Sequence, residues 1–141
     1  YGGWHIDNHV PGGLLAYDKA PSFVYDFDGA YTIPYRSYCA KGMKNLYIGG
    51  RCLGASKLAM ASSRVMATCA IGGQAIGTAA AQCIARDADI RGVDMAALQQ
   101  TLLRDDCYLP GFVNTDAADL ARRARVTASS QQVWCSRVVP A

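Results

Sequence analysis

One long stretch of small and apolar residues constrains the fold of this chain more than any other part of its sequence. After Ser63, apolar side chains recur at steps of three and four residues, which is the period of an α-helix. These side chains belong to Val65, Met66, Cys69, Ile76, Ala80, Cys83 and Ile84. The pattern predicts one helix from Ser63 to about Asp87, with Ser62 or Ser63 as its N-cap.

Three glycines lie inside this predicted helix, at positions 72, 73 and 77. Each glycine destabilises a helix by up to about 1 kcal/mol relative to alanine, so we expect another part of the structure to approach that face closely. The spacing Gly73-x-x-x-Gly77 also occurs in helices that dimerise within membranes. We do not favour that interpretation, because the uncharged stretch is shorter than about 20 residues and is bounded by Arg64 and Arg86.

A buried strand is predicted before this helix and a second helix after it. The run Asn45-Leu46-Tyr47-Ile48 is short and apolar and ends at Gly49-Gly50, which is typical of a buried strand. Asp94 is a good N-cap residue, and the residues after it have one apolar face, so the sequence predicts a helix that stops before Pro110. The expected fold class is therefore α/β, with one core strand, a long helix rich in glycine and alanine, and a second helix.

The two ends of the chain differ from this middle part. Residues 1 to about 40 are rich in Gly, Pro, Tyr and Asp and contain short extended pieces near residues 23–27 and 31–35. We expect this loop- and strand-rich segment to lie over another surface. After Gly111 the sequence offers a helix-like stretch from Asp116 to Arg123 and an alternating segment at residues 125–130. We interpret residues 112–141 as a linker or the start of a following module.

Composition argues against several classes of protein. The net charge is +3 and the basic residues form no stripe suited to a phosphate backbone, so nucleic-acid binding is not expected. None of the six cysteines stands at C-x-x-C spacing, so no metal site is expected. The chain begins with Tyr1 and shows neither a signal peptide nor a membrane-spanning segment, so we expect a piece of a longer protein without membrane association. The sequence leaves the compartment open and favours the cytoplasm.

Two features of the middle part suit a bound ligand. Glycines at the end of a strand allow the backbone to approach a ligand where a Cβ would collide, and Gly49 and Gly50 are placed for this use. Free N–H groups at a helix start, here those of Val65 and Met66, suit a phosphate or the electron-rich edge of a ring. A strand, turn and helix that pack closely without any ligand would show the same spacing, so both interpretations stay open.

Several charged and titratable residues are candidates for chemistry. His5, Asp7 and His9 alternate, so in an extended segment they would point to one side, where they could bind a metal or transfer protons; a polar loop with hydrogen-bonded histidines is the alternative. Arg36 could anchor a carboxylate or hydroxyl through its forked donors, or form a surface salt bridge. Arg64 stands at a predicted helix start, where a cation is unfavourable unless a ligand oxygen or a loop carboxylate is its partner.

Five motifs occur in order over about residues 1 to 111. They are Trp4-His5-x-Asp7-x-His9-x-Pro11-x-Gly13, Ile33-Pro34-Tyr35-Arg36, Asn45-Leu46-x-x-x-Gly50-Arg51-x-x-x-Ala55-Ser56, Ser63-Arg64-Val65-Met66-Ala67-Thr68-Cys69 and Gly73-Gln74-Ala75-x-Gly77-Thr78-Ala79-Ala80. Together these motifs resemble the C-terminal portion of the FAD-dependent oxidoreductases of the fumarate reductase-like group.

The resemblance implies a domain layout and roles for individual residues. Residues 1–40 would end a substrate domain, and residues 41–111 would complete an FAD-binding domain whose long helix begins at the flavin ring. Proton transfer, rather than metal ligation, would fall to His5 first and His9 second, and Arg36 would anchor the substrate. The implied contacts to the cofactor come from Gly49, Gly50, Arg51, Ser63, Arg64, Val65 and Met66.

The resemblance also implies a Gly-x-Gly-x-x-Gly turn in an N-terminal half, which would bind the pyrophosphate of FAD. This sequence contains no such turn, so the missing half of the same protein is the expected partner, and the chain alone is expected to bind FAD weakly or not at all. The implied activity is hydride transfer on an unidentified small molecule. The alternative is a non-catalytic carbohydrate-binding or scaffold module that retains the fold, since residues 126–130 also resemble the opening strand of galactose-binding-like β-sandwich modules.

Overall fold

The computed structural model describes residues 1–130 and consists of a short hairpin followed by three helices. Cys135 and the last part of the predicted linker, residues 131–141, lie outside the described residues. Within them we label two strands and three α-helices in chain order: β1 Ile6–His9, β2 Ser22–Tyr25, α1 Lys57–Ser63, α2 Met66–Ala85 and α3 Met95–Arg104. This is a small mixed structure that is compatible with an α/β class.

The N-terminal segment forms an antiparallel hairpin. Strand β1 pairs with β2 so that Ile6 lies opposite Tyr25 and His9 opposite Ser22, and the backbone N–H of Val10 continues the ladder to the carbonyl of Pro21 at 3.0 Å. The two strands have four residues each, and a hairpin this small needs a surface to pack on, because it has no core of its own. That surface is α1, which contacts β1 along its length.

The predicted core strand at residues 45–48 is wrong. Tyr47 forms only an isolated antiparallel bridge with Cys39, flanked by hydrogen bonds from Ala40 N to Leu46 O at 3.1 Å and from Ile48 N to Tyr38 O at 2.8 Å. A strand needs a continuous ladder of hydrogen bonds to a neighbouring strand. In the described residues, this segment forms only these two hydrogen bonds with residues 38–40. The apolar run is therefore an extended loop that packs on the helices.

The predicted long helix is interrupted, so the expected single helix from Ser63 is also wrong in its first turn. Helix α1 ends at Ser63 and α2 begins at Met66. Between them Val65 has φ −70° and ψ 149°, which is extended rather than helical backbone. Helix α2 ends at Ala85, two residues before the predicted end.

The serines predicted as caps have other partners. Ser63 donates its hydroxyl to the carbonyl of Ala59 at 3.0 Å, and Ser62 donates to the backbone carbonyl of Trp4. Both serines are buried in the last turn of α1. The serine that does cap a helix is Ser56, whose Oγ accepts a hydrogen bond from the backbone N–H of Ala59 at 3.2 Å.

Helices α2 and α3 form the core of the described chain. Ala79, Leu98 and Leu102 are almost completely buried there. The predicted cap of α3 is confirmed, because the side chain of Asp94 accepts a hydrogen bond from Ala97 N at 3.1 Å. In the described part of the chain, no helix combines the length and apolar character needed to cross a membrane.

The expected close approach to the glycines of α2 is found at one of them. A Cβ at Gly72 would lie 2.7 Å from the hydroxyl of Tyr38, whereas Gly73 and Gly77 have no atom within 4 Å of the corresponding position. Beyond α3, the stretch from Asp116 forms one 3-10 turn at Leu120–Arg123. The alternating segment at residues 125–130 forms no strand within the described part.

Candidate functional site

The junction between α1 and α2 presents an open helix N-terminus. Val65 is the N-cap residue of α2, no side chain caps this end, and no acidic residue lies in the first turn. The first backbone N–H groups of a helix have no partner within it and carry the positive end of the helix dipole. Val65 is partly exposed and Met66 is 89 % exposed, so this end of α2 lies at the surface of the described chain.

The turn that follows residues 45–48 approaches this junction. Gly50 has a φ of 61°, in the left-handed region that favours glycine, and no atom lies near the position of a Cβ. Arg51 donates its Nε–H to the backbone carbonyl of Arg64 at 3.3 Å. Gly49 serves packing instead, because a Cβ there would lie 2.9 Å from Cδ1 of Ile76 in α2.

Asp7 is the centre of a polar cluster beside the junction. Its Oδ2 lies 2.8 Å from His9 Nε2 and 3.1 Å from Arg64 Nη2, and the same Nη2 donates to the backbone carbonyl of Asp7 at 3.1 Å. The hydrogen bond from His9 is the largest cause that lowers the pKa of the Asp7 carboxyl, and the nearby charge of Arg64 lowers it further. Asp7 is therefore an ionised acceptor that joins β1 to the end of α1.

The two histidines occupy different environments. His9 shares the cluster with Asp7, whereas His5 Nδ1 lies 2.6 Å from Asp26 Oδ1, just beyond the end of β2. Since an ionised carboxylate can only accept a hydrogen bond, the contact with Asp7 assigns neutral His9 a proton on Nε2 and a free lone pair on Nδ1. Neutral His5 has the opposite assignment, with Nε2 free. The structure thus brings His9 and Asp7 together and pairs His5 with Asp26 instead.

Arg64 pairs with a carboxylate, as in the alternative that the sequence left open, but this carboxylate belongs to Asp7 in strand β1 and not to a loop. It is the C-cap residue of α1, where a cation is favourable because it faces the negative end of the helix dipole. The expected repulsion between the Arg64 cation and the positive end of the α2 dipole is thus offset by the negative end of the α1 dipole and by the ion pair with Asp7. Sequence reasoning did not identify α1 and so could not place Arg64 at its C-terminus.

Arg36 does not share the contacts of the Asp7 cluster. Its side chain is exposed, and in the described part of the chain its guanidinium has no hydrogen bond or ion pair. The neighbouring Tyr35 is a core residue: its hydroxyl donates to the carbonyl of Ile90 at 2.7 Å and contacts the hydroxyl of Tyr47. Its hydroxyl is thus held inside the fold, and burial raises the pKa of Tyr35 to about 12.

Sequence reasoning missed three residues that the fold places beside the candidate site residues. Lys57 lies on α1 and lines a polar cleft of about 180 Å³ together with the Asp7 cluster and Asn8. The Oδ1 atom of Asn8 is buried without a hydrogen-bond partner among the described residues. Asp26, the partner of His5, lies between Tyr25 and Phe27, and an acidic residue flanked by two aromatic residues was the available signal.

The described residues contain no group of three or more His, Cys, Asp or Glu side chains that could hold a metal ion.

A family described as FAD dependent oxidoreductase has a model that matches residues 1–102 of this 141-residue chain. The matched range includes the hairpin, α1, the whole of α2 and most of α3. No curated protein and no solved structure matches the chain.

Proposed function

This chain belongs to the FAD-dependent oxidoreductases, and we propose that it forms the flavin-ring side of an active site that moves a hydride to or from a small molecule. The observation that carries this proposal is the exposed, uncapped N-terminus of α2, with Arg51 bound to the carbonyl that precedes it. Such a terminus favours electron-rich acceptor atoms. FAD supplies the hydride chemistry when it is bound.

The residues at the junction fit a flavin ring but not the whole of FAD. Val65 and Met66 offer backbone donors, Gly50 leaves open space beside the turn, and Arg51 adds a cation. The predicted contacts from Gly49 and Ser63 are less direct, because Gly49 packs on α2 and the hydroxyl of Ser63 is bound within α1. Arg64 would act through the Asp7 cluster.

Proton transfer is proposed for His9 ahead of His5. Arg64 ties Asp7, and through it His9, to the junction where the flavin ring would bind, whereas His5 pairs with Asp26 of the hairpin. Asp7 would hold the proton on Nε2 of His9 and leave Nδ1 as the acceptor atom. His5 stays a second candidate, with Nε2 as the corresponding atom, and Arg36 is a candidate for substrate binding because its guanidinium is exposed.

The pyrophosphate of FAD would be bound elsewhere. This sequence has no Gly-x-Gly-x-x-Gly turn, which is the usual phosphate-binding device of dinucleotide sites. We therefore propose an N-terminal half of the same protein as the partner that completes the site. The non-catalytic carbohydrate-binding or scaffold alternative has no support in the family match.

The first test is the visible absorbance spectrum of the purified chain with FAD, recorded alone and with the N-terminal half present. We expect shifted flavin bands only when both parts are present. A stoichiometric yellow complex of the chain alone would show that the pyrophosphate site is not needed, and the lack of shifted bands in both mixtures would contradict the proposed function.

A substitution at the first position of α2 tests the role of its N–H groups. Met66→Pro removes one donor, and proline is tolerated at this position of a helix. The preceding residue must be extended, and Val65 already is. In the completed protein we expect roughly tenfold weaker FAD binding, since one hydrogen bond to a charged or electron-rich group contributes about 1.5 kcal/mol. Met66→Ala, which retains the donor, is the control and should bind FAD as the parent protein does.

A further inference from the structure

An apolar cavity of about 600 Å³ lies between the hairpin, the loop at residues 27–37 and α1. Phe27, Tyr31 and Ile33 form one side, and Leu58 and Ala59 of α1 form the other. Small-molecule sites typically have volumes of about 300–1,000 Å³ and are lined mostly by apolar and aromatic side chains. The cavity therefore has the size of a site for a small molecule.

No charged residue lines the apolar cavity. Six hydroxyl-bearing residues line it, and four of them form hydrogen bonds with one another or with the backbone. Tyr31 contacts Ser62 Oγ at 2.6 Å, and Ser62 donates onward to the carbonyl of Trp4. Ser63 donates to Ala59 O, and Ser56 accepts from Ala59 N. A charged ligand would lose its hydration here without gaining a partner of opposite charge, so the cavity is suited to an uncharged molecule.

The aromatic side of the cavity is held in place by the backbone behind it. Gly2 and Tyr31 exchange two backbone hydrogen bonds of 2.9 and 2.8 Å, and a Cβ at Gly2 would lie only 2.5 Å from the Tyr31 ring. The ring of Phe27 lies 5.6 Å from that of Tyr31, measured between centroids. A surface that is ordered before binding loses less conformational entropy when a ligand binds.

Helix α1 separates the apolar cavity from the polar cleft, and both reach the α1–α2 junction. Leu58, Ala59 and Ser62 face the cavity, whereas Lys57 and Arg64 face the cleft. Ser63, the residue before Arg64, is among the residues that line the cavity. A molecule in the cavity would thus adjoin the proposed position of the flavin ring.

We propose that the apolar cavity binds an uncharged molecule built around an aromatic or alicyclic ring, and that this molecule is the substrate. The identification as substrate rests on the proposed function, while the binding itself does not. Charge complementarity carries the proposal, because the wall offers apolar and aromatic surface and no ionic partner. The side chain of Arg36 does not line the cavity and is not required for this contact.

The test compares two probes of the same shape, naphthol, which is uncharged at neutral pH, and naphthoate, which carries a carboxylate. Amide NMR spectra of the isotopically labelled 141-residue chain are recorded during titration with each probe. We expect saturable shifts from naphthol at Phe27, Tyr31 and Ser62. Naphthoate should bind at least about tenfold more weakly, because its carboxylate would be desolvated without a partner.

A matched pair of variants assigns the binding to the cavity. Ala59 and Ala70 are both exposed helical alanines, but only Ala59 lines the cavity. Ala59→Trp should abolish the naphthol shifts by filling the space, and Ala70→Trp should leave them unchanged. Equal binding of both probes, no binding of naphthol, or binding that survives Ala59→Trp would overturn the proposal.

A second measurement separates the substrate assignment from the proposed function. Saturation-transfer NMR observes the probe and is carried out on the flavin-loaded, completed protein. Retained transfer to naphthol supports a substrate site beside the flavin, whereas loss of transfer shows that the flavin or a protein segment fills the cavity and overturns the assignment. A failure of the proposed function would appear separately, as the absence of flavin bands.

Discussion

Gly72 and Gly73 are neighbours on α2, yet only Gly72 is covered. The hydroxyl of Tyr38 lies 2.7 Å from the position of a Cβ on Gly72, and that of Gly73 is open. We predict that Gly72→Ala destabilises the chain because Tyr38, a buried residue, would have to move. Gly73→Ala should instead stabilise it by up to about 1 kcal/mol through helix propensity. The free energy of unfolding in urea measures both changes, and the same sign for the two would contradict this assignment.

The hydrogen bonds of the histidines predict two different tautomers. With Asp7 as acceptor, neutral His9 carries its proton on Nε2, and with Asp26 as acceptor, neutral His5 carries it on Nδ1. We predict that Asp7→Ala removes the Nε2 preference of His9 and leaves His5 unchanged, and that Asp26→Ala has the converse effect. Long-range proton–nitrogen correlation NMR above neutral pH distinguishes the tautomers. A change at both histidines in either variant would show that the two pairs are not independent.

At the scale of elements, local signals predicted α3 well and the α1–α2 pair poorly. The cap at Asp94 and the apolar face of α3 are encoded within a few residues, and both are confirmed. The break before α2 has no comparable signal, because Ser62 and Ser63 look like caps in the sequence. Their hydroxyls are bound to Trp4 and Ala59 instead, and the first of these partners lies 58 residues away.

The cap of α3 should make stability depend on pH. Hydrogen bonding from the backbone of Ala97, followed by that from Arg86, lowers the pKa of Asp94 below its ordinary value. When the pKa of a carboxyl is lower in the folded state, its ionised form stabilises the protein at pH values above the unfolded-state pKa, which is about 3.9 for Asp. This stabilisation is lost as the pH falls through the folded-state pKa.

We therefore expect Asp94→Ala to lower the thermal midpoint at neutral pH, with a difference from the parent chain that shrinks in acid. Asp94→Asn is the informative control, since asparagine also caps helices but lacks the charge that pairs with Arg86 at 3.2 Å. Its loss should be smaller than that of the alanine variant. Differential scanning calorimetry across acidic and neutral pH checks both expectations, and a pH-independent loss in Asp94→Ala would contradict the role of the carboxylate.

At the scale of the whole molecule, the pattern of hydrogen bonds in the described chain changes near residue 115. The side chain of Gln100 binds the carbonyl of Val113 at 3.1 Å and the backbone N–H of Thr115 at 2.9 Å, which ties this segment to α3. From Asp116 to residue 130, the hydrogen bonds of the described part stay within residues 114–124. The predicted boundary at residue 112 stays a prediction, and this pattern favours a boundary a few residues later.

Limited digestion with trypsin tests this division. We predict that the first cleavages follow the exposed arginines at 122, 123 and 125, because only local contacts hold that turn. The exposed Lys44 should resist, since its carbonyl accepts from Ile90 N at 3.0 Å and Arg91 binds the nearby carbonyl of Ala40 at 2.8 Å. Mass spectrometry of the early products gives the order, and Arg91→Ala should accelerate cleavage near Lys44. Early cleavage at Lys44 in the parent chain would contradict this view of the fold.

The sequence by itself determined the family, the small-residue helix, the second helix with its cap, and the absence of a phosphate-binding turn. These features are local, because helix periodicity and capping depend on residues a few positions apart. Only the tertiary structure decided the break between α1 and α2, the pairing of Arg64 with Asp7 across 57 residues, the cover of Tyr38 on Gly72, and the uncharged cavity. Each of these depends on which distant segments pack together. The partners of an ion pair and the walls of a cavity come from segments that are far apart in the sequence, so the folded structure alone brings them together.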